Sequence, residues 1–137
     1  MQSIEQLADD LRTLLAATWP TVRLSAAGSD CQFQQELRQL HRDQLPGIII
    51  AFNRTAFSGE NTLRECGLSV VLIDRFRAGS ESRARALLQA AETFFTIFPP
   101  TGRMIGDGFC LPGECRTIAT GGELFRLVLD LTITQGV

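Results

Sequence analysis

The chain has 137 residues, 45% of them hydrophobic and 20% charged, with a formal net charge of −2. This is one domain's worth of ordinary globular chain: its composition argues against disorder, and its net charge gives no global pull toward nucleic acid or anionic membranes. No apolar run approaches the ~18 residues of a membrane span, and the early acids Glu5, Asp9 and Asp10 are not the pattern of a secretory signal.

Ser3-Ile4-Glu5-Gln6 has the form of a capping box. Ile4, Leu7, Leu11, Leu14 and Leu15 follow at helical spacing, and Pro20 ends this helix at or before Trp19. A short strand is expected over Thr21–Ser25. The next stretch, from Ala26 to Gln44, reads as a loop and a short polar helix rich in Gln and Arg, with a weak apolar face of Phe33, Leu37 and Leu40.

Pro46-Gly47 opens a strand, Ile48-Ile49-Ile50-Ala51-Phe52, that continues through Arg54 to Phe57 and turns at Ser58-Gly59-Glu60-Asn61. The return strand spans Thr62–Phe76. Its Val70–Ile73 run is apolar on both faces, as in a strand covered on both sides. Ser80 caps a second helix whose buried side is expected to be Ala84, Leu87, Leu88, Ala91, Phe94, Phe95 and Phe98, stopped by Pro99-Pro100. The C-terminal third is all β: a strand over Arg103–Leu111, a turn at Pro112-Gly113, a strand over Cys115–Thr120, and a last strand over Leu124–Thr134. In that last strand Phe125, Leu127, Leu129, Leu131 and Ile133 share one face, and Arg126, Asp130, Thr132 and Thr134 the other. The expected fold is α+β: a two-layer, mostly antiparallel or mixed sheet with two main helices on one face, in the order α-β-(short α/loop)-β-β-α-β-β-β.

The catalytic inventory is thin. Every basic side chain is Arg, and the absence of Lys excludes a Schiff-base or phosphate-loop lysine. The single histidine, His41, sits in the polar segment, and no G-x-S-x-G elbow presents a serine. Cys31, Cys66, Cys110 and Cys115 include no C-x-x-C pair and read as reduced, partly buried thiols, ahead of a disulfide or a metal held by Cys110 and Cys115. Asp107 and Glu114 flank a Gly/Pro-rich turn; an acid/base pair is conceivable chemistry for two carboxylates, but loop solubility is the favoured account. Gly106 and Gly108 make only G-x-G, without the rest of the dinucleotide fingerprint. No enzyme activity, cofactor or metal is expected.

Arg75, Arg77, Arg83 and Arg85 crowd the passage into the second helix. A solvated face is the plain account; next comes a protein interface, because guanidinium pairs bidentately with acids, and last direct nucleic-acid contact. Arg54, Phe57 and Arg64 lie near the tip of the hairpin, and an aromatic flanked by arginines is a common interface composition.

The whole order of elements resembles the tail-terminator and minor tail proteins of Mu-like and lambda-like tailed phages and prophages. The features that carry the resemblance are the leading helix Ile4–Ala17, the Pro46-led strand Gly47–Phe52, the long strand ending Ile73-Asp74-Arg75, the capped helix after it and the closing strand Phe125–Ile133. Nearly the full chain is covered, in element order and texture, with Cys31–Leu45 read as particular to this member.

The resemblance implies a structural virion protein, assembled in the host bacterial cytoplasm into the tail. Subunits of that family form a six-membered ring that caps the tail tube, ends its polymerisation and meets the head connector. It implies a homo-oligomer partnered by the tail-tube and head–tail connector proteins, with no membrane. The interface residues expected from position and composition are Arg54, Phe57, Arg64, Arg75, Arg77, Arg83, Arg85, Met104 and Phe109. Alternatives are another neck, tail-completion or minor tail subunit and, further off, a small nucleic-acid-binding protein or enzyme.

Overall fold

A computed structural model describes residues 1–25, 45–75, 80–118 and 124–137, apart from the side chains of Ser80 and Arg83. The fold is α+β, with two helices and a six-stranded mixed sheet among the described residues. Helix α1 (Ile4–Ala16) starts at the capping box: the Gln6 amide donates to Ser3 Oγ at 3.1 Å and the Ser3 amide donates to Gln6 Oε1 at 2.9 Å. Such a cap stabilises a helix by ~1 kcal/mol. Leu7, Leu11 and Leu15, four residues apart, form one fully buried stripe.

Strand β1 (Thr21–Ser25) runs parallel to β2 (Gly47–Ser58), which forms a hairpin with β3 (Leu63–Arg75). Helix α2 (Ser80–Ile97) follows, then β4 (Arg103–Ile105), β5 (Gly108–Ile118) and β6 (Leu124–Gly136). The sheet order is β1-β2-β3-β6-β5-β4, antiparallel except at β1–β2. The long strands β3 and β6 occupy its centre because they alone have enough apolar side chains to be buried on both faces.

One face carries Val22, Ile48, Ile50, Cys66, Leu68, Val70, Leu72, Leu127, Leu129, Leu131 and Ile133. These join the leucines of α1, Trp19, and Phe94 and Phe98 of α2 in a single core. The opposite face has a smaller buried cluster of Ile49, Val71, Ile73 and Val128, with Leu45, Ile118 and Leu124 against it.

Two expectations need correction. The turn foreseen at Pro112-Gly113 does not exist: the chain turns earlier, at Gly106-Asp107, and β5 runs through Pro112 with a bulge between Pro112 and Cys115. Gly106 has φ +55°, which favours glycine, and a Cβ there would strike the Gln2 and Asp10 side chains. Pro112 is tolerated because it lies at a bulge on a strand whose outer side has no pairing partner at that point among the described residues.

On α2, Ala84 and Leu88 are exposed, Leu88 by 66%, because the burial of this helix is concentrated toward its C-terminal half, at Phe94 and Phe98. Arg126 lies on the face opposite Leu127 and Leu129, as expected, and is only 5% exposed there, with Ile73 and Ile118 as its register neighbours. The expected polar helix over 26–44 lies outside the described residues.

Candidate functional site

The face of the sheet opposite the helices is divided by a polar belt. Asn53, the extra residue at the β2 bulge, donates from Nδ2 to Ser69 Oγ at 2.6 Å. Ser69 Oγ donates to Asp130 Oδ1 at 2.8 Å, and Arg116 Nη1 donates to Asp130 Oδ2 at 2.5 Å. Four strands are thereby stitched side chain to side chain, and the Asp130 carboxylate anchors the chain with charge-assisted bonds. On one side of the belt lies the buried Ile49–Val71–Ile73–Val128 cluster. On the other side, strand register places Leu111 beside Thr132 and Gly67, and Met104 beside Phe109, Thr134 and Glu65.

This second half is open. Met104 is 57% exposed, and Phe109 and Leu111 41% each. The Phe109 ring lies against Gly102, where φ is +87° and any Cβ would occupy the ring's place. Arg54, in register with Gly67, extends over that glycine's bare backbone and approaches Glu65 at 3.8 Å. The result is an apolar patch at the β4–β5 edge with threonines, Arg54 and Glu65 beside it. A contiguous exposed apolar surface with polar surroundings is the composition of a protein-docking surface.

The residues singled out from sequence fall in three places. Met104, Phe109 and Arg54 share the open half-face. Phe57, 54% exposed, is on the other face of the hairpin tip beside Arg64. Arg64 is held within the molecule: Nε and Nη2 donate to Gln135 Oε1 at 3.0 and 2.5 Å, and Nη2 also donates to the Gln2 carbonyl at 2.7 Å. Arg75 and Arg85 line a cavity of about 370 Å3 with Asp74, Ser82, Ala86 and Gln89. Arg85 is paired there with Glu81 one helical turn away, at 3.0 Å. Arg77, the Arg83 side chain, Cys31 and His41 lie outside the described residues.

Asp107 and Glu114 do not form a pair. Asp107 sits in the β4–β5 turn and accepts from Gln135 Nε2 at 2.7 Å and the Gln2 amide at 2.8 Å, while Glu114 is exposed in the bulge farther along β5. The hydrogen bond from Gln135, then that from Gln2, holds the Asp107 carboxyl below the usual aspartate range.

The three described cysteines are free thiols. Burial pushes Cys110 up to about 12, offset only in part by Arg103, and it raises Cys66 and Cys115 as well. At neutral pH these three thiols are therefore expected to alkylate slowly in the native protein, half-buried Cys115 ahead of Cys66 and Cys110, with full reaction on unfolding. A peptide-resolved iodoacetamide time course checks this, and rapid native labelling of Cys110 would contradict it.

No family model and no curated protein matches this chain. Any functional reading therefore rests on the residues themselves. Sequence reasoning missed Leu111, Ser69, Asp130, Arg116 and Gln135. The available signal was a polar residue interrupting an apolar strand, as Ser69 does between Leu68 and Val70 and Asp130 between Leu129 and Leu131.

Proposed function

We propose that this chain is a structural subunit that works by docking against other protein subunits, and that the tail terminator of a tailed phage is its nearest functional type. The observation that carries the docking reading is the open half-face: Met104, Phe109 and Leu111 stand exposed together, the last two on β5, which the neighbouring polar belt ties to β6. A rigid backbone presenting a preformed apolar patch loses little entropy on association, which suits a subunit that must close an assembly.

In this reading copies of the chain form a ring, most simply a hexamer, on the end of a tail tube, stop its growth and meet the head connector. The order of the elements, with both helices contributing to the core on one face of the sheet, supports the comparison made from sequence. Site residues in this role are Met104, Phe109 and Arg54, with Phe57 at the hairpin tip. No described helix is long and apolar enough to cross a membrane.

Deleting the gene and imaging the lysate by electron microscopy tests the reading. Overlong or irregular headless tails are the expected result. Normal-length tails that fail to join heads would replace it with a tail-completion role, and intact virions would overturn both. Complementation by a Met104→Glu, Phe109→Glu double variant is expected to fail to the level of the deletion. The purified variant should melt within a few degrees of the parent, because neither side chain belongs to the buried core: Met104 is 57% and Phe109 41% exposed.

A further inference from the structure

Two strand edges in this sheet stop being paired at matching points. β1 pairs with β2 only as far as Ala51, and a bulge follows between Phe52 and Arg54. Beyond it, Arg54–Ser58 is bonded to β3 on one side, and among the described residues nothing pairs with its other side. β4 pairs with β5 only as far as Cys110, and the Pro112/Cys115 bulge follows. Beyond that one, Cys115–Ile118 is bonded to β6 alone among the described residues. Each free segment thus begins just after a bulge, which bends the strand away from its short intramolecular neighbour. Unpaired strand edges are templates for another strand, and proteins that stay monomeric usually keep such segments short, charged or covered.

We propose that these two edges are halves of one contact: Arg54–Ser58 of one copy pairs antiparallel with Cys115–Ile118 of the next, joining copies head to tail. This rests on the self-assembly part of the function proposed above. The occupant is a second copy because the chain itself carries the complementary edge. β2 is antiparallel to β3, β3 to β6 and β6 to β5, so the two free edges run in opposite directions on opposite sides of the sheet. A second copy in the same orientation therefore continues the sheet antiparallel.

Side-chain parity agrees. Thr55 and Phe57 are in register with Cys66 and Arg64, and Cys115 and Thr117 with Leu129 and Leu127, all on the helix-bearing face. Arg54, Ala56, Arg116 and Ile118 project from the other face. A register placing Phe57 opposite Cys115 and Thr55 opposite Thr117 keeps both faces continuous and covers the exposed Phe57 ring. A two-fold β2–β2 pairing would leave the β5 edge unmatched, whereas a head-to-tail contact satisfies both edges and propagates to a ring or filament.

Cysteine cross-linking in the full chain tests this. Phe57→Cys, oxidised at high protein concentration, is expected to give a ladder of covalent oligomers beyond the dimer through bonds to Cys115. The ladder should vanish when Cys115→Ser is added, and Ala56→Cys should give none, because its side chain projects from the wrong face. Melting curves of the variants verify folding. Absence of a ladder from Phe57→Cys, a ladder independent of Cys115, or Ala56→Cys dimers linked to themselves would each overturn the proposal. Sedimentation of the parent protein keeps the two readings apart. Oligomers without Cys115 links would refute this contact alone, whereas a parent that remains monomeric at high concentration would refute self-association in solution. The tail phenotype of the deletion is scored separately from either outcome.

Discussion

Replacing Phe94 by alanine is expected to remove about 3–5 kcal/mol of folding free energy, the usual cost of emptying a buried aromatic site. Phe94 is completely buried in the layer between α2 and the sheet, and its ring centroid lies 5.4 Å from that of Trp19 at an interplanar angle of 50°. Trp19 ends the segment after α1, so this ring pair joins both helices over the sheet. The tilted geometry adds about 0.5–1.5 kcal/mol beyond area burial. A domain of this size has about 5–15 kcal/mol in total, so the variant should lose a large share of its stability.

Leu88→Ala on the same helix provides the contrast. The helical apolar pattern suggests a core position, yet Leu88 is 66% exposed, and its loss should change stability by no more than about 0.5 kcal/mol. Urea unfolding of both variants is the measurement. Equal effects would mean that α2 packs through a different face.

Replacing Gln135 by leucine is expected to cost about 2–3 kcal/mol, although the substitution is more hydrophobic and of similar size. Gln135 is 1% exposed, and both ends of its amide are used. Oε1 accepts twice from Arg64; Nε2 donates to the Gln2 carbonyl at 3.0 Å and to Asp107 Oδ1 at 2.7 Å. Leucine would strip Arg64 Nε of its acceptor and Asp107 of a donor, while the Gln2 carbonyl keeps its bond from Arg64 Nη2; a part-buried polar group left without its partner costs roughly 1–3 kcal/mol.

The same substitution changes the acid limb of stability. Asp107 has a folded pKa below its unfolded one, so its contribution is present above the unfolded value and is lost as pH falls through the folded value. Since Gln135 is the first cause of the depression, the leucine variant should lose less of its remaining stability across that acid window. Parallel unfolding curves from neutral pH into acid measure this; an unchanged pH dependence would mean that the Gln2 amide alone sustains the shift.

Much of the fold was legible because it depends on local chemistry. The capping box, the leucine stripe of α1, the long hairpin and the alternation of Leu127, Leu129, Leu131 and Ile133 are set by spacing, and the structure has them. Where sequence and structure part, a local signal was overridden. Pro112-Gly113 has turn composition but becomes a bulge, because β6 offers pairing on either side of it: Pro112 with Leu131 and Cys115 with Leu129. Arg126 is polar by type but lies in a strand whose neighbours bury it.

The candidate site was legible only in fragments. Met104 and Phe109 could be singled out from position and composition, but that they adjoin each other and Leu111, on the same face as Arg54, depends on which strands are neighbours. Arg64, singled out beside Phe57, is bonded to Gln135 and Gln2, residues 71 and 62 positions away in the chain, and no local pattern shows those bonds.

By itself, the sequence determined the α+β class, the helix start at Ser3 and which residues of the long strands seek the core, because capping and periodicity act over a few residues. Tertiary structure alone decided the β1-β2-β3-β6-β5-β4 order, the polar belt, the open half-face and the two edges left unpaired among the described residues. Those features arise from contacts between segments remote in the chain, where burial and hydrogen-bond satisfaction across strands outweigh local preference.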